Sequence, residues 1–428
     1  MSATDRLFPA MLAFGLLVPG QAMAGGFYLQ EQSPKETGRA MAGGAAAADD
    51  PSIVYFNPAA MTQLDGLQLS TGAVALFATA GHSDRGSTRT LAGSAATVPV
   101  TGGSGGNPFA AIIPVPSAYA TKQLGDRFWI GIGVTAPFGL KLDYDAGFFG
   151  RYDSLHTDLK TYNVQPSAAW KIGEGLSVGG GVDVQYVKVK LTNALPNLSP
   201  DSADGLAVVK GDDLTVGWNA GIFYTGGATN IGIHYRSGIR HHIRGSQTNS
   251  GLLGPIAAAN GTSAASAPLA LPDIVTASVT RKLSPTIRAM ATARWYNWSV
   301  FREIAITSGT GTAVKAMRYH DSWSVSIGGE VDVDQRLTLR AGTRFDRTPT
   351  NSAFLTTRVP DGDRKWLSAG ATWAVTDHMA LNLSYAHNFV DKADLVRTDH
   401  YYGLVTTTTR SRVSGNADQL AASLSARF

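Results

Sequence analysis

The chain has no cysteine, little charge and no long hydrophobic run after its first residues. The absence of cysteine excludes disulfides, thiolate metal sites and cysteine nucleophiles together. Charged residues make up 16% of the 428 positions, whereas a typical soluble protein carries about 25%. Beyond Gly25 no stretch approaches the roughly 18 apolar residues of a transmembrane helix. Glycine is abundant instead, and a weakly charged, Gly-rich chain suits a barrel whose strands face lipid on one side and a polar lumen on the other.

The N-terminus has the pattern of a secretory signal peptide. Arg6 precedes an apolar run over residues 7–18, and Ala22-Met23-Ala24 is a small-x-small cleavage site. The run is too short to cross a bilayer, which needs about 20 apolar residues. We therefore expect residues 1–24 to direct export and to be removed, the alternative being a buried core helix.

From Leu67 onward apolar and polar residues alternate, which predicts β-strands with two unlike faces. The alternation is clearest over residues 214–224, 323–333, 379–389 and 420–428. Tight turns alternate with long connections, as periplasmic turns and extracellular loops do. The long connections are expected at about residues 81–108, 143–160, 192–212, 246–270, 301–318, 347–363 and 390–414. The sequence therefore predicts an all-β fold, a 14-stranded antiparallel transmembrane β-barrel over residues 66–428; a soluble sandwich or propeller is the alternative, and no fixed repeat supports it.

Residues 25–65 differ from the rest of the chain. They are rich in alanine and glycine and lack sustained alternation, which predicts a compact N-terminal segment with short helices. Such a segment argues against the open lumen that a general porin needs.

Two of the predicted strands are irregular. In one, Pro137 and Gly139 interrupt the outward apolar set, and a kink is expected there because proline removes a ladder donor. In the other, the apolar face switches after Tyr186, so that Lys188 and Lys190 fall on the former outward face. A one-residue bulge explains this switch, and so does a strand that leaves the bilayer at Tyr186.

The sequence gives little support to an enzyme. It contains no Gly-x-Ser-x-Gly elbow, phosphate-binding loop or His-Glu-x-x-His motif. The adjacent His241 and His242 would point to opposite faces of a strand and make a poor metal site. Neither a metal nor another cofactor is predicted, and a net charge of +4 is too small and scattered to indicate nucleic acid binding. A membrane hydrolase with a dispersed Ser/His pair is the alternative.

The alternating pattern predicts that a set of charged residues points into the lumen. Ion pairing across the interior is the expected role of most of them. These residues are Asp183, Arg236, Arg288, Arg294, Glu330, Asp332, Arg340, Arg344, Asp346 and Arg427. Some of them are candidates to flank a path through the wall.

Several short motifs match a known family in the same order along the chain. They are Gly26-Phe27, Gly38-Arg39-Ala40, Asp49-Asp50, Asn57-Pro58-Ala59, Phe138-Gly139-Leu140, Asn297-Trp298-Ser299, Arg340-Ala341-Gly342, Phe345-Asp346, Pro360-Asp361-Gly362-Asp363-Arg364 and Trp366-Leu367-Ser368-Ala369-Gly370. In these residues the chain resembles the FadL-type family of outer-membrane long-chain fatty acid transporters. The resemblance covers nearly all of the chain after the expected leader.

The resemblance implies a barrel plugged by an N-terminal hatch over residues 25–65. It also implies passive uptake of long-chain fatty acids or similar hydrophobic compounds, with capture in the barrel and lateral release through a kinked wall strand. The gate is expected where Asn57-Pro58-Ala59 packs against the kink at Pro137-Phe138-Gly139, with Asp346 as a further member.

The family's best-known type holds the substrate carboxylate with two cations. One of them matches Lys315, and the other falls on Asn193, which carries no charge. The candidates to replace the second cation are Lys188, Lys190, Arg302 and Arg318.

The resemblance also implies a location and partners. We expect a monomer in the Gram-negative outer membrane, in contact with outer-membrane lipid and inserted by the outer-membrane assembly machinery through the C-terminal Phe428. The family includes transporters of aromatic compounds, so aromatic-hydrocarbon uptake is an alternative, as are a general porin and a structural surface barrel.

Overall fold

The computed structural model describes residues 26–94 and 96–428, so the expected leader over residues 1–24 lies outside the described residues. The described chain forms a closed antiparallel barrel of fourteen strands, as the sequence predicts. The strands are β1 Leu67–Asp84, β2 Ile113–Gln123, β3 Phe128–Thr135 and Gly139–Asp143, β4 His156–Lys171, β5 Leu176–Leu195, β6 Gly205–Gly226, β7 Thr229–Arg236 and Arg240–Ser250, β8 Gly261–Ala270 and Ile274–Lys282, β9 Ile287–Tyr296 and Glu303–Ser308, β10 Gly311–Ala316 and Ser322–Asp332, β11 Leu337–Asp346, β12 Arg364–Ala374, β13 Met379–Tyr401 and β14 Val405–Arg427. The barrel closes where β1 pairs with β14. Two short strands, Thr88–Leu91 and Thr97–Pro99, extend the sheet beside the outer end of β14.

The outer face of the barrel carries the apolar half of the alternating pattern. On β6, Leu214, Val216 and Trp218 are exposed, whereas the intervening Gly217 and the next inward residue, Asn219, are buried. Exposed apolar surface is unfavourable in water by about 25 cal/mol per Å², so a continuous apolar band indicates contact with lipid. Among the described residues no helix is long and apolar enough to cross a bilayer.

Several long connections are shorter than the sequence predicts. β5 and β6 extend through most of the connection expected at 192–212, and β13 and β14 leave only residues 402–404 of that expected at 390–414. Paired strand segments also occupy parts of those expected at 246–270 and 301–318. Strands continue beyond the bilayer because their backbone groups stay paired there. Their outward face then meets water instead of lipid, and their inner face mixes polar residues with apolar ones that pack on the connections, so the alternation that predicts a strand is lost.

β5 passes through the predicted irregularity at Tyr186 without a bulge. Its pairing with β6 keeps one register from Leu176 opposite Tyr224 to Leu195 opposite Gly205. The same set of residues therefore faces inward throughout. Only the chemistry of that inner face changes, from polar residues such as Asp183 to apolar residues from Val187 onward.

The first described residues fill the lumen. This N-terminal segment, residues 26–66, contains α1 Pro34–Thr37, α2 Ile53–Phe56 and a 3-10 helix at Pro58–Gln63. The side chain of Ser33 caps α1 by accepting a hydrogen bond from the Glu36 N–H at 3.4 Å. The segment is almost wholly buried. It therefore occupies the space that an open pore would need.

Charged side chains hold the N-terminal segment against the barrel wall. Arg39 is fully buried and pairs with Glu36 of its own segment and with Glu330 of β10 at 3.0 Å. On the other side of the lumen Arg236 pairs with Asp183 and donates to the Tyr55 carbonyl at 2.8 Å. Most predicted inward charges are buried in this way, but Arg427 is exposed at the end of β14.

Candidate functional site

An apolar cavity lies inside the barrel, between the N-terminal segment and the long connections. Its walls include Phe27 of the N-terminal segment and apolar side chains of several strands and connections. These side chains include Leu140, Val189, Leu191, Ile243 and Phe301. These residues explain why the inner face of β5 becomes apolar above Gln185: that face lines an apolar cavity instead of a polar lumen.

A second cavity of about 380 Å³, with charged, polar and apolar residues in its lining, opens next to the first. It is lined by the cations Lys315, Arg358 and Arg397, by Asp399 and by Asn193. The two cavities share lining residues, which are Leu191, Val209, Ile304, Ile306 and Arg358. The site is therefore amphipathic, with a cationic mouth above an apolar chamber and Arg358 at the boundary.

The cations of the mouth are not equally paired. Lys315 forms ion pairs with Asp153 and, at 3.4 Å, with Asp399. Arg397 also contacts Asp399, at 3.2 Å. Burial alone would raise the pKa of the Asp153 carboxyl, but Lys315 and its other partners hold that pKa below its usual range, so Asp153 stays ionised. Both carboxylates are thus engaged before any ligand enters.

Arg358 differs from the other two cations. Its guanidinium donates to the Asp153 carbonyl at 3.0 Å, the His156 carbonyl at 3.2 Å and the Thr157 hydroxyl at 3.0 Å. Burial lowers the pKa of Arg358, with the nearby charge of Asp153 acting against that effect. Three cations and two carboxylates leave one positive charge at the mouth. Because Arg358 bonds neutral oxygens, much of that charge resides on it.

The barrel wall is broken beside the apolar cavity. β1 and β2 stay paired up to Leu76 opposite Ile113, whereas β2 and β3 stop pairing at Ala118 opposite Val134. β3 itself is interrupted between Thr135 and Gly139, and among the described strands its second segment pairs only with β4. The predicted kink is therefore present as a gap in the hydrogen-bond ladder between the upper parts of β2 and β3.

The N-terminal segment supplies the hydrogen bonds that the broken strand lacks. Leu29 N–H donates to the Pro137 carbonyl at 2.8 Å, and Gly139 N–H donates to the Phe27 carbonyl at 3.0 Å. The Gln32 side chain accepts from Ala136 N–H at 3.1 Å and donates to the Ala136 carbonyl at 3.0 Å. Buried backbone groups require such partners. The kink thus bends inward onto residues 27–32.

Two prolines on β2, at the other edge of the break, reduce the number of unpaired backbone donors there. Gln123 N–H of β2 points to β1, where it donates to the Gly66 carbonyl, and Leu124 N–H points to β3. Even-numbered donors of β2 therefore face β3, and at positions 114 and 116 those donors are absent because both residues are proline. An unpaired strand edge within a bilayer is unfavourable chiefly through its unsatisfied donors and acceptors. Pro114 and Pro116 remove two of them.

Comparison with known proteins agrees with this geometry. The family model described as "Outer membrane protein transport protein (OMPP1/FadL/TodX)" matches residues 15–428. The chain belongs to this family. It is therefore a transport protein of the Gram-negative outer membrane.

Individual relatives of this family resemble the chain over most of their length. Outer membrane protein P1 of Haemophilus influenzae is 29% identical over 411 residues, covering 87% of each chain. The Long-chain fatty acid transport protein of Escherichia coli O6:H1 is 29% identical over 413 residues, covering 87% of this chain and 89% of the relative. Among solved structures, a Pseudomonas aeruginosa FadL homologue superposes with a TM-score of 0.84 at 24% identity, covering 94% of this chain and all of that one. The Ralstonia pickettii toluene transporter TbuX gives 0.66 at 16% identity, covering 92% and 98%. These two structures share the fold.

Only one of the cations expected from the sequence to bind substrate lines the mouth in this barrel. Lys315 does line the mouth, next to Asn193. Lys188 and Lys190 do not, because they lie on the exposed outer face of β5 while their neighbours face inward. Arg318 is exposed and stacks on Phe354, 4.8 Å from the ring centre. For the two lysines the reason is strand geometry: consecutive side chains of one strand point to opposite faces, so Lys188 and Lys190 cannot share the cavity that Val189 and Leu191 line. Arg318 lies in the connection between the two segments of β10, where no strand periodicity sets the direction of its side chain.

The expected gate is also rearranged. Asn57-Pro58-Ala59 packs against β5 and β6: Asn57 Nδ2 donates to the Ile222 carbonyl at 3.1 Å, and Ala59 lies on Gly179. The hydrogen-bond partners of Pro137 and Gly139 are instead Leu29 and Phe27. The turn at residues 57–59 therefore anchors the segment, and the contact with the kink comes from its first residues.

Asp346 and Phe138 lie where the N-terminal segment meets the wall. Asp346 accepts a hydrogen bond from Gln30 Nε2 at 2.9 Å. Phe138 is buried among aromatic rings, with Phe27 at 6.1 Å and Tyr28 at 5.2 Å between ring centres. The motif around Asp361 has a similar role, since its carboxylate accepts from Gly26 N–H at 3.0 Å. Each of these contacts holds residues 26–30 in place.

A Gly221→Ala substitution is expected to loosen the N-terminal segment and raise ion conductance. A methyl group at Gly221 would collide with Asn57 Oδ1, so the turn that bonds β6 has to move. Single-channel conductance in planar bilayers measures the effect. Gly125→Ala is the matched control, because nothing lies within 4 Å of its added methyl group. An unchanged conductance in a correctly assembled Gly221→Ala barrel would show that this turn does not seal the lumen.

Proposed function

We propose that the protein takes up long-chain fatty acids, or similar anionic amphiphiles, passively across the outer membrane. The observation that carries the proposal is the continuity of a cationic mouth with an apolar chamber through Arg358. A carboxylate in the mouth would neutralise its residual positive charge, while the acyl chain would leave water for the chamber. Removal of apolar surface from water contributes about 0.8 kcal/mol per buried methylene.

The charges of the mouth favour an acid over a hydrocarbon. A toluene-like molecule would enter the chamber and leave the positive charge around Arg358 without a counter-ion. The Escherichia coli relative is named a long-chain fatty acid transport protein, whereas the toluene transporters resemble this chain in fold alone. Aromatic uptake is therefore the second candidate, supported by the apolar lining of the chamber.

The proposed route leaves the barrel sideways. The N-terminal segment acts as a hatch that fills the lumen below the chamber, so the axial path is blocked. Phe27 and Leu140 line the chamber, and their neighbours Pro137 and Gly139 bound the break in the wall. An acyl chain that passes this break enters lipid directly, which avoids a second exposure to water. Separation of residues 27–29 from the kink would open the route.

No covalent step or energy source is part of the proposal, so the protein is proposed to be a transporter without enzymatic activity or cofactor. We propose that it acts as a monomer, since one chain closes its own barrel through β1 and β14. The C-terminal Phe428, whose backbone pairs with Leu67, is the proposed contact for the assembly machinery.

Cells that lack their own fatty acid transporter are expected to gain oleate uptake when they express this protein. Radiolabelled oleate and toluene are measured in parallel, with barrel insertion checked by heat-dependent mobility on gels. Uptake of oleate well above that of toluene would support a fatty acid as the substrate. The reverse order in an inserted barrel would assign the protein to aromatic compounds, and uptake of neither would contradict both.

A further inference from the structure

We propose that a belt of outward-facing cations on β3 to β7 binds the phosphate groups of the glycolipid in the outer leaflet. The basic belt consists of Lys141, Lys160, Lys188, Lys190, Lys210 and Arg244. This interaction surface lies outside the barrel and is separate from the transport site. It accounts for Lys188 and Lys190, which the transport function does not use.

Strand register assembles the belt from residues that are distant in sequence. One row across neighbouring strands joins Lys160, Lys188, Asp212 and Arg244 as direct cross-strand partners. The next row outward joins Lys141, Asp158, Lys190 and Lys210. Cross-strand partners lie about 4.5–5.5 Å apart, so each row is a continuous strip of charge.

The belt has an excess of positive charge. Six cations face only two carboxylates, Asp158 and Asp212, which leaves four positive charges on one patch. Among the described residues the only ion pair formed by a belt cation joins Lys160 and Asp158, at 2.9 Å. On the opposite wall Lys365 pairs with Asp391 at 3.0 Å and Arg412 with Asp394 at 3.8 Å, whereas Lys392 and Arg410 form no ion pair with the described residues. Five belt cations without an ion pair, set in two adjacent rows, indicate an external anion.

The height of the belt matches the surface of the membrane. Directly below it lie Tyr162 and Tyr186, which are cross-strand partners with ring centres 6.3 Å apart. Outward residues below the two tyrosines are apolar, including Val164, Val182 and Val216. Aromatic residues of this kind mark the boundary of the hydrocarbon region. The two rows of the belt follow at about 7 Å and 14 Å along the strands, within reach of lipid headgroups.

The chemistry of the belt identifies the occupant as a membrane phosphate. The substrate carboxylate is on the other side of the wall, since Val187 and Val189 line the interior while Lys188 and Lys190 point away from it. The outer leaflet of a Gram-negative outer membrane consists largely of lipopolysaccharide, whose lipid anchor carries phosphates. Clusters of Lys and Arg beside a bilayer bind such anionic headgroups.

The test compares lipid binding by the full-length protein and by a variant with Lys188→Gln, Lys190→Gln and Lys210→Gln. Binding to bilayer discs that contain bisphosphorylated lipid A is measured against discs with its dephosphorylated form. The wild-type protein is expected to prefer the phosphorylated lipid. The variant is expected to lose roughly 100-fold in affinity for it, since each surface cation near an anionic membrane contributes about fivefold. A variant of the opposite wall, Lys365→Gln, is expected to bind as wild type.

The outcomes separate the possible sources of the anion. Equal affinity of the triple variant and wild type, or no preference for the phosphorylated lipid, would overturn the proposal. Displacement of the lipid by a small excess of inorganic phosphate would also overturn it, by assigning the belt to a free anion. The three positions are exposed and lie beyond the lipid-facing band, so the variant is expected to fold, and unchanged oleate binding confirms that it does.

Discussion

A Tyr28→Cys/Phe138→Cys variant, once oxidised, is expected to bind fatty acid but to deliver almost none of it to the cell. Tyr28 and Phe138 form an isolated antiparallel bridge between the N-terminal segment and the kink. The bonds from Leu29 to Pro137 and from Gly139 to Phe27 flank this bridge. Tyr28 and Phe138 are therefore a non-hydrogen-bonded pair, whose Cα atoms lie about 4.5 Å apart. That separation is within the roughly 4.4–6.8 Å that a disulfide spans.

The disulfide would prevent the N-terminal segment from separating from the kink, and release requires that separation. In the proposed route the acyl chain leaves the chamber between Phe27 and Leu140, so residues 27–29 must part from the kink. A covalent link at this point blocks that separation while it leaves Lys315 and Arg358 at the mouth unchanged. We therefore expect oleate uptake to fall to the level of cells without the protein, with oleate affinity retained.

The chain contains no native cysteine, so the two introduced cysteines have no other thiol in the protein to pair with. Reductant restores uptake in the same protein if the link is the cause, which separates locking from the loss of two aromatic side chains. The single variants Tyr28→Cys and Phe138→Cys serve as controls and should respond little to oxidant. Full uptake by the oxidised double variant would show that fatty acid leaves the barrel by another route.

Much of the fold could be predicted from the sequence because alternate residues of a transmembrane strand face lipid and lumen, and their polarity differs accordingly. The outward face of β6, with Val216 and Trp218, is apolar for lipid, and its inward Asn219 is polar for the lumen. Beyond the bilayer this contrast ends, and the outer parts of β13 and β14 are missed for that reason. The kink at Pro137 is visible because proline has a local effect on any strand.

The contacts of the site could not be predicted in the same way. Lys188 is adjacent in sequence to residues that line the chamber, but it points away from them, and only the uninterrupted register of β5 establishes that. Arg358 belongs to the irregular connection before β12, where no periodicity predicts the direction of a side chain. Gln32 meets Ala136 across 104 positions of sequence. A signal was available at Pro114 and Pro116, whose alternate spacing on β2 suggests an unpaired edge.

Arg358 is expected to be the main determinant of affinity for the carboxylate. Its guanidinium bonds carbonyls and a hydroxyl, so it has the charge to engage an incoming anion, whereas Lys315 already has two carboxylate partners. A hydrogen bond to a charged group is worth about 1.5–3 kcal/mol. The Arg358→Ala variant should therefore bind oleate roughly 10- to 150-fold more weakly.

The role of charge is isolated by a neutral ligand and by a matched arginine. Methyl oleate has the same chain as oleate but no charge, so Arg358→Ala should change its affinity little. Arg318→Ala should leave both ligands unaffected, since Arg318 is exposed on Phe354 and lies away from the mouth. Arg358→Lys keeps the charge without the planar fork and should fall between wild type and Arg358→Ala. If Arg358→Ala weakens oleate and methyl oleate equally, Arg358 serves to shape the cavity, and the assignment of the mouth to an acid loses its principal support.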